Sequence, residues 1–192
     1  MQPAPDEQVI VTKAQNGDEQ AVALLYEAHV ESIYAYIGYR VNSDEVAEDL
    51  TSEVFLRMVR GLQNYRYQGF PFRAWLYRIA SNLITDYYGQ QGKHPTSSVT
   101  DEFISHDPDM FDHIAQEDER FHLRLAIRAL PAEYQDLLIW RFVEDLPHTE
   151  IARITNKSAE SLRAMQYRAL KALAQQLEKM GRNYDVSGGD NQ

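Results

Sequence analysis

Ala47-Glu48-Asp49-Leu50-Thr51-Ser52-Glu53-Val54-Phe55-Leu56-Arg57-Met58 reads as a helix with two unlike faces. Val46, Leu50, Val54 and Met58 recur every four residues, Ala47 and Leu62 widen the stripe, and this apolar side calls for burial. Ser43 is placed to cap the helix, and Asp44 and Glu45 put negative charge on its first turn, where the helix dipole favours it. The opposite face carries Glu48, Asp49, Ser52 and Glu53, with Leu56 and Arg57 within a turn. An acidic face can simply be solvated. An apolar residue lies at its edge, and the rest of the chain decides whether the face is merely solvated.

On the N-terminal side, residues 6–15 suggest a short helix ended by Asn16-Gly17. Asp18 caps the next, which runs to about Val41 with Val22, Leu25, Tyr26, Val30, Ile33, Tyr34 and Ile37 as its apolar stripe. On the C-terminal side, Gly69 and Pro71 mark a loop that interleaves Tyr65, Tyr67, Phe70 and Phe72 with Arg66 and Arg73. Aromatic rings beside arginines suit stacking of unpaired bases and retention of phosphates; Phe72 is expected to turn inward. Pro71 is expected to open a helix that ends near Gly89. Its stripe is Trp75, Leu76, Ile79, Ala80 and Leu83, leaving Tyr77, Arg78, Ser81, Asn82 and Thr85 to hydrogen-bond bases or backbone.

Residues 90–118 lose helical periodicity and are rich in Gly, Pro, Ser, Thr and Asp, which marks a linker between two domains. Its histidines, His94, His106 and His113, lie near aspartates without a recognised metal-ligand spacing. From Glu119 the period returns. Phe121, Leu125, Ile127 and Leu130 form one helix; Pro131 opens another, filled by Leu137, Leu138, Trp140 and Phe142. A short helix at 149–154, the turn Thr155-Asn156-Lys157 and a final helix from Ala159 to about Met180, capped by Ser158, make a helix-turn-helix pattern. Leu162, Met165, Ala169, Leu173 and Leu177 face inward, leaving Arg163, Gln166, Tyr167, Arg168 and Lys171 outside. The alternative is a three-helix bundle with a merely solvated basic face. The tail from Asn183 is expected to be disordered.

The 192 residues carry 19 basic and 29 acidic side chains, a formal net charge of −10. The charge is uneven: residues 90–121 hold 2 basic and 8 acidic groups, residues 122–182 hold 10 and 7. Steering acts through patches, so the overall acidity does not exclude nucleic acid. The absence of cysteine rules out disulfides, thiolate metal sites and a thiol nucleophile. The first residues have no basic and apolar pattern, so no signal peptide is expected, and with no apolar run of about 18 residues no membrane span is expected; with no Gly-rich phosphate loop and no His–carboxylate constellation, neither an enzyme nor a cofactor protein is expected.

Three stretches together resemble bacterial sigma factors of the sigma-70 family, of the small extracytoplasmic-function type. Ala47 to Leu56 resembles the part of region 2.2 that docks on the clamp helices of the polymerase β′ subunit. Phe72-Arg73-Ala74-Trp75-Leu76-Tyr77-Arg78-Ile79-Ala80-Ser81-Asn82-Leu83-Ile84-Thr85-Asp86-Tyr87 resembles regions 2.3 and 2.4, which melt and read the −10 element. Leu130-Pro131 through Glu150-Ile151-Ala152 to Arg168-Ala169-Leu170 resembles region 4.2, which reads the −35 element.

The resemblance implies an all-α fold of two helical domains joined by a flexible acidic linker: region 2 over residues 1–89, a linker over 90–118, region 4 over 119–181 and a tail over 182–192. It implies polymerase binding by Asp49, Ser52, Glu53 and Leu56. The −10 element would fall to Tyr65, Tyr67, Phe70, Arg73, Arg78 and Asn82. The −35 element would fall to Lys157, Ser161, Arg163, Gln166, Tyr167, Arg168 and Lys171. Partners would be core RNA polymerase, through the β′ clamp helices and β flap, promoter DNA and an anti-sigma factor. The chain would be a cytoplasmic monomer when free, needing no metal or cofactor, and an anti-sigma factor could hold it at the membrane.

The match departs from the family after Tyr88, where the usual basic run is replaced by Gly89-Gln90-Gln91-Gly92-Lys93. Fewer phosphate contacts weaken duplex binding there. Two other readings remain: a sigma-like decoy for an anti-sigma factor, and a stand-alone helix-turn-helix regulator.

Overall fold

The computed structural model describes residues 5–67, 69, 71–90 and 121–187, and every regular element among them is helical. Helix α1 spans Pro5–Gln15, α2 Glu19–Arg40, α3 Asp44–Gly61 and α4 Phe72–Gln90. Helix α5 covers 121–128, α6 Ala132–Leu138, α7 His148–Thr155 and α8 Ala159–Ser187.

The breaks follow local chemistry. Gly17 adopts φ +88°, which costs a residue without Cβ little. The Asp18 carboxylate then accepts the amides of Gln20 and Ala21, two donors that a helix start leaves unpaired. Ser43 accepts from the Val46 amide at the start of α3. Asn156 takes the left-handed conformation, φ 56°, to close α7, and Ser158 accepts from the Ser161 amide to open α8. Pro71 and Pro131 stand immediately before α4 and α6, one position outside the first helical residue expected for them.

One buried cluster runs through the described chain, from Val11 and Ala14 of α1 through Ile33, Val54, Phe72 and Leu76 to Trp140, Ile151, Leu162 and Met165. The helices either side of residues 91–120 therefore pack on one another. Helix α4 lies against α7, and α2 against the segment after α6. That segment, Ile139–Val143, is a π-turn, with the Glu144 amide donating to the Ile139 carbonyl.

Several inward assignments change. On α2, Tyr26 and Tyr34 are exposed, while Tyr36 and Arg40 are buried, because the C-terminal half of α2 is covered by α4 on one side and by the π-turn segment on another. Phe142 is 56% exposed because the extra residue of the π-turn rotates it outward while Trp140 stays in. Phe121 lies out at the start of α5, and Leu177 lies out on α8, where the long helix passes beyond short α6 and α7. Helix α8 continues to Ser187, past the end expected near Met180. Phe55 and Tyr77 are buried; Phe72 is inward, as expected. The linker residues 91–118, with His94, His106, His113 and Lys93, fall outside the described residues, as do Phe70 and the last five positions of the tail.

Candidate nucleic-acid interface

Asp49, Ser52, Glu53 and Leu56 fall three and four residues apart and share the outward face of α3. Leu56 is half exposed, and Glu53 accepts an ion pair from Arg57 at 2.9 Å on the same helix. The face is acidic with an apolar edge, because the stripe on the other side (Ala47, Val54, Met58) fixes the helix against the core.

The segment after α3 is held by Gln15, whose amide donates to the carbonyls of Leu62 and Tyr65. Tyr65 meets Phe72 edge-on at 5.2 Å and lies 5.0 Å from Trp75. Burial, with Glu7 and Tyr67 nearby, pushes its phenol up to about 12, so it remains a neutral hydrogen-bonding group at ordinary pH. A Cβ on Gly61 would stand 3.1 Å from the Trp75 ring, so the aromatic group sits directly on the α3 backbone. Tyr67 is exposed, and Asn82 faces a cavity of about 430 Å³ between α4 and the C-terminal helices.

Arg73 and Arg78 point the same way but are engaged. Arg73 donates twice to one carboxylate oxygen of Glu150 in α7, at 2.6 and 3.1 Å. Arg78 donates to the carbonyls of Arg153 and Ile154, the negative end of α7. The −10 set is therefore divided: Tyr65 packs on Phe72 and Trp75 and Tyr67 is exposed, while Arg73, Arg78 and Asn82 face the C-terminal half.

The structure places Ser161, Arg163, Tyr167, Arg168 and Lys171 on the exposed side of α8, with Tyr167 72% exposed. Leu162, Met165 and Ala169 are buried against α6 and α7 and hold that side outward. Gln166 is half-buried at the margin, and Lys157 in the turn pairs with Glu133 at 2.9 Å.

Sequence reasoning missed the residues joining the halves. Asp136 of α6 accepts from the buried Arg40, from the Tyr36 hydroxyl at 2.6 Å and from Ser81. Tyr77 donates to Glu144 at 2.5 Å, and burial followed by that hydrogen bond pushes its phenol well up. Tyr36 stacks on Trp140, 5.8 Å between centroids and 10° from parallel. Arg128 of α5 donates to the Gly38 and Tyr39 carbonyls, completing the C-terminus of α2. No periodicity marks these residues. The only signal was Tyr36 and Arg40 lying four apart on a helix whose apolar stripe they border.

A helix with an acidic outer face, an aromatic segment leading into a helix of hydrogen-bonding side chains, and a helix-turn-helix with a basic outer face together make the pattern of a DNA-binding transcription protein. Residues 25–94 match sigma-70 region 2, and residues 120–173 match sigma-70 region 4. The chain is 34% identical over 173 residues to the ECF RNA polymerase sigma factor BldN of Streptomyces coelicolor, covering 88% of this chain and 64% of that protein. It is 26% identical over 184 residues to the ECF RNA polymerase sigma-E factor of Escherichia coli K12, covering 91% and 95%. In fold it is similar to the solved structure of CnrH in complex with the cytosolic domain of CnrY, with a TM-score of 0.68 at 17% identity over 90% of this chain and 97% of that one. The chain belongs to the sigma-70 family, among the ECF sigma factors.

Proposed function

We propose that this chain is the promoter-specificity subunit of a bacterial RNA polymerase, without enzymatic activity of its own, and that it works in the cytoplasm with the polymerase. The observation that carries the reading is the presence on one chain, in family order, of the acidic Leu56-edged face, the aromatic segment with Asn82, and the outward basic face of α8. A helix-turn-helix regulator acting alone needs only the last of these.

The acidic face of Asp49, Ser52 and Glu53 would meet basic residues on the polymerase β′ clamp helices, with Leu56 as the apolar anchor. Region 4 would take the β flap. Tyr65, Tyr67 and Asn82 would hold a base flipped from the melted strand, stacking contributing roughly 1–3 kcal/mol against a flipping cost of a few. Arg73 and Arg78 would take phosphates once free of α7. Arg163, Arg168 and Lys171 would bind the −35 duplex, and Tyr167 would pack on a thymine methyl or sugar. An anti-sigma factor would bind the same faces and hold the chain inactive, at the membrane where that partner is anchored; the similarity to CnrH, solved with CnrY, supports such a partner. The division into residues 1–89, a linker and 119–181 fits two DNA-reading modules on a tether.

The test is run-off transcription with bacterial core polymerase on the promoter upstream of the protein's own gene. Initiation should depend on the chain and should fall by about a hundredfold or more with Asp49→Lys and Glu53→Lys together, since like charges across an interface cost several kcal/mol. Core binding without a transcript from any promoter points to the decoy. Duplex binding without core binding points to the stand-alone regulator.

A further inference from the structure

No contact with DNA or polymerase is assigned to helix α1, yet two of its side chains hold the aromatic segment at both ends. Glu7, Val11 and Gln15 recur every four residues and line one face of α1, with Val11 buried in the core. At the end of α1, the Gln15 amide donates to the carbonyls of Leu62 and Tyr65, at 3.0 and 2.8 Å. Near its start, one oxygen of Glu7 accepts the Phe72 amide at 3.3 Å, and the other lies 3.5 Å from the His29 imidazole of α2. The Phe72 amide opens α4 and has no carbonyl of its own helix to meet. The Glu7 carboxylate therefore stands where a capping group and a negative charge are both favoured. Along a helix, Glu7 and Gln15 are about 12 Å apart. The stretch between the two held points includes Tyr67, which is exposed. Beside the Gln15 bonds the packing is open: a cavity of about 300 Å³ lies there, lined by Ala14, Gln15, Val22, Val59, Leu62 and Gln63. On that side the backbone is fixed by hydrogen bonds more than by close packing.

We propose that Glu7 and Gln15 are positioning residues for base capture: α1 sets the backbone of the aromatic segment at both ends, so that Tyr65 and Tyr67 are in place before a base leaves the melted strand. The inference rests on the promoter reading given above. Its physical ground is entropic. A segment that must order on binding loses part of its contact energy to that ordering, and one held beforehand does not. Neither residue touches DNA in this account. Gln15 acts through the carbonyls on either side of the turn Leu62–Asn64, which directs the Tyr65 ring onto Phe72 and Trp75. Glu7 acts through the start of α4, the helix that carries Asn82, and the His29 ring beside it lies 5.8 Å from the Phe72 ring. Among the described residues, neither Glu7 nor Gln15 forms a hydrogen bond with α8 or with the acidic side chains of α3. Removing the two anchors should therefore weaken the single-strand contact and leave the other two surfaces as they are.

The test uses the full chain in complex with core polymerase. Short labelled non-template strands of the gene's own −10 element carry an abasic site at each position in turn. The native chain should lose about tenfold in affinity at the position of the captured base. Glu7→Met with Gln15→Met removes the acceptor and the donor at similar size. This pair should bind the intact strand about tenfold more weakly and respond to the abasic site by less than about twofold. Gln15→Met alone supplies a milder variant, and circular dichroism checks that helix content is retained. Glu7→Gln keeps an acceptor and Gln15→Lys keeps a donor, so together they should restore most of the affinity and the response to the abasic site. Affinity for the −35 duplex and for core polymerase should stay within about twofold throughout, as distant sites act independently. Unchanged strand affinity in both Met variants overturns the inference, and so does a Gln–Lys pair no better than the Met pair. Equal losses for strand, duplex and polymerase mark a general loss of structure and overturn it too. A native chain indifferent to every abasic site removes base capture, and with it both the promoter reading at that site and this inference. A native chain that responds, matched by its variants, removes the inference alone.

Discussion

Glu7 shows how a single side chain ties the first helix to the aromatic segment. Its carboxylate lies 3.5 Å from the His29 imidazole and accepts the Phe72 amide at 3.3 Å. The His29 hydrogen bond chiefly, with the Phe72 amide also contributing, holds its carboxyl below the usual range despite partial burial. A folded-state value depressed below the unfolded one means stability that is present above the ordinary carboxylate range and is lost as pH falls through the folded value. Urea midpoints of the native chain should therefore decline on acidification below about pH 5, and Glu7→Gln should flatten that part of the curve. At the helix-turn-helix turn, Asn156 holds φ 56°, where a β-branched residue is strained. Asn156→Val should destabilise by about 1–2 kcal/mol and Asn156→Gly by a few tenths at most, both read as shifts of the urea midpoint. Gly61 is a third point of this kind: Gly61→Val must move the Trp75 ring, 3.1 Å from the would-be Cβ, and should cost about 1–3 kcal/mol in the same assay.

At the scale of elements, α3 and α8 were legible because each has a buried stripe at helical spacing that leaves only one face for a partner. The outer face of α8 should behave as a set of phosphate and base contacts. Arg163→Ala and Arg168→Ala should each reduce the dependence of log affinity on log salt by about one if the arginine meets a phosphate. A base-edge contact should instead cost about 1–3 kcal/mol at one sequence position. Titration of promoter duplexes at several salt concentrations separates the two. The π-turn after α6 was not legible. Ile139-Trp140-Arg141-Phe142 has no breaker residue, and the extra residue is placed by the stacking of Trp140 on Tyr36, from a helix a hundred residues away in sequence. The exposure of Phe142 follows from that long-range contact and not from its own neighbours.

For the whole molecule, charge is best read by segment. A chain of net charge −10 presents an acidic face on α3 and a basic one on α8, so association with a basic protein surface and with DNA are both compatible with an overall pI near 5.0. The sequence by itself determined the helical elements, their caps, the outward face of α3 and the outward face of α8, because capping and periodicity are local and act within a few residues. It also carried the family resemblance, through the order of three motifs. Only the tertiary structure decided where Arg73 and Arg78 point, that Tyr36, Arg40 and Tyr77 are buried, and that Asp136, Glu144 and Glu150 meet them. Those contacts join residues 67 to 100 positions apart. A polar side chain on a helix carries no mark of which distant partner will cover it, and the packing of two halves is set by their combined surfaces, which no single stretch of sequence contains.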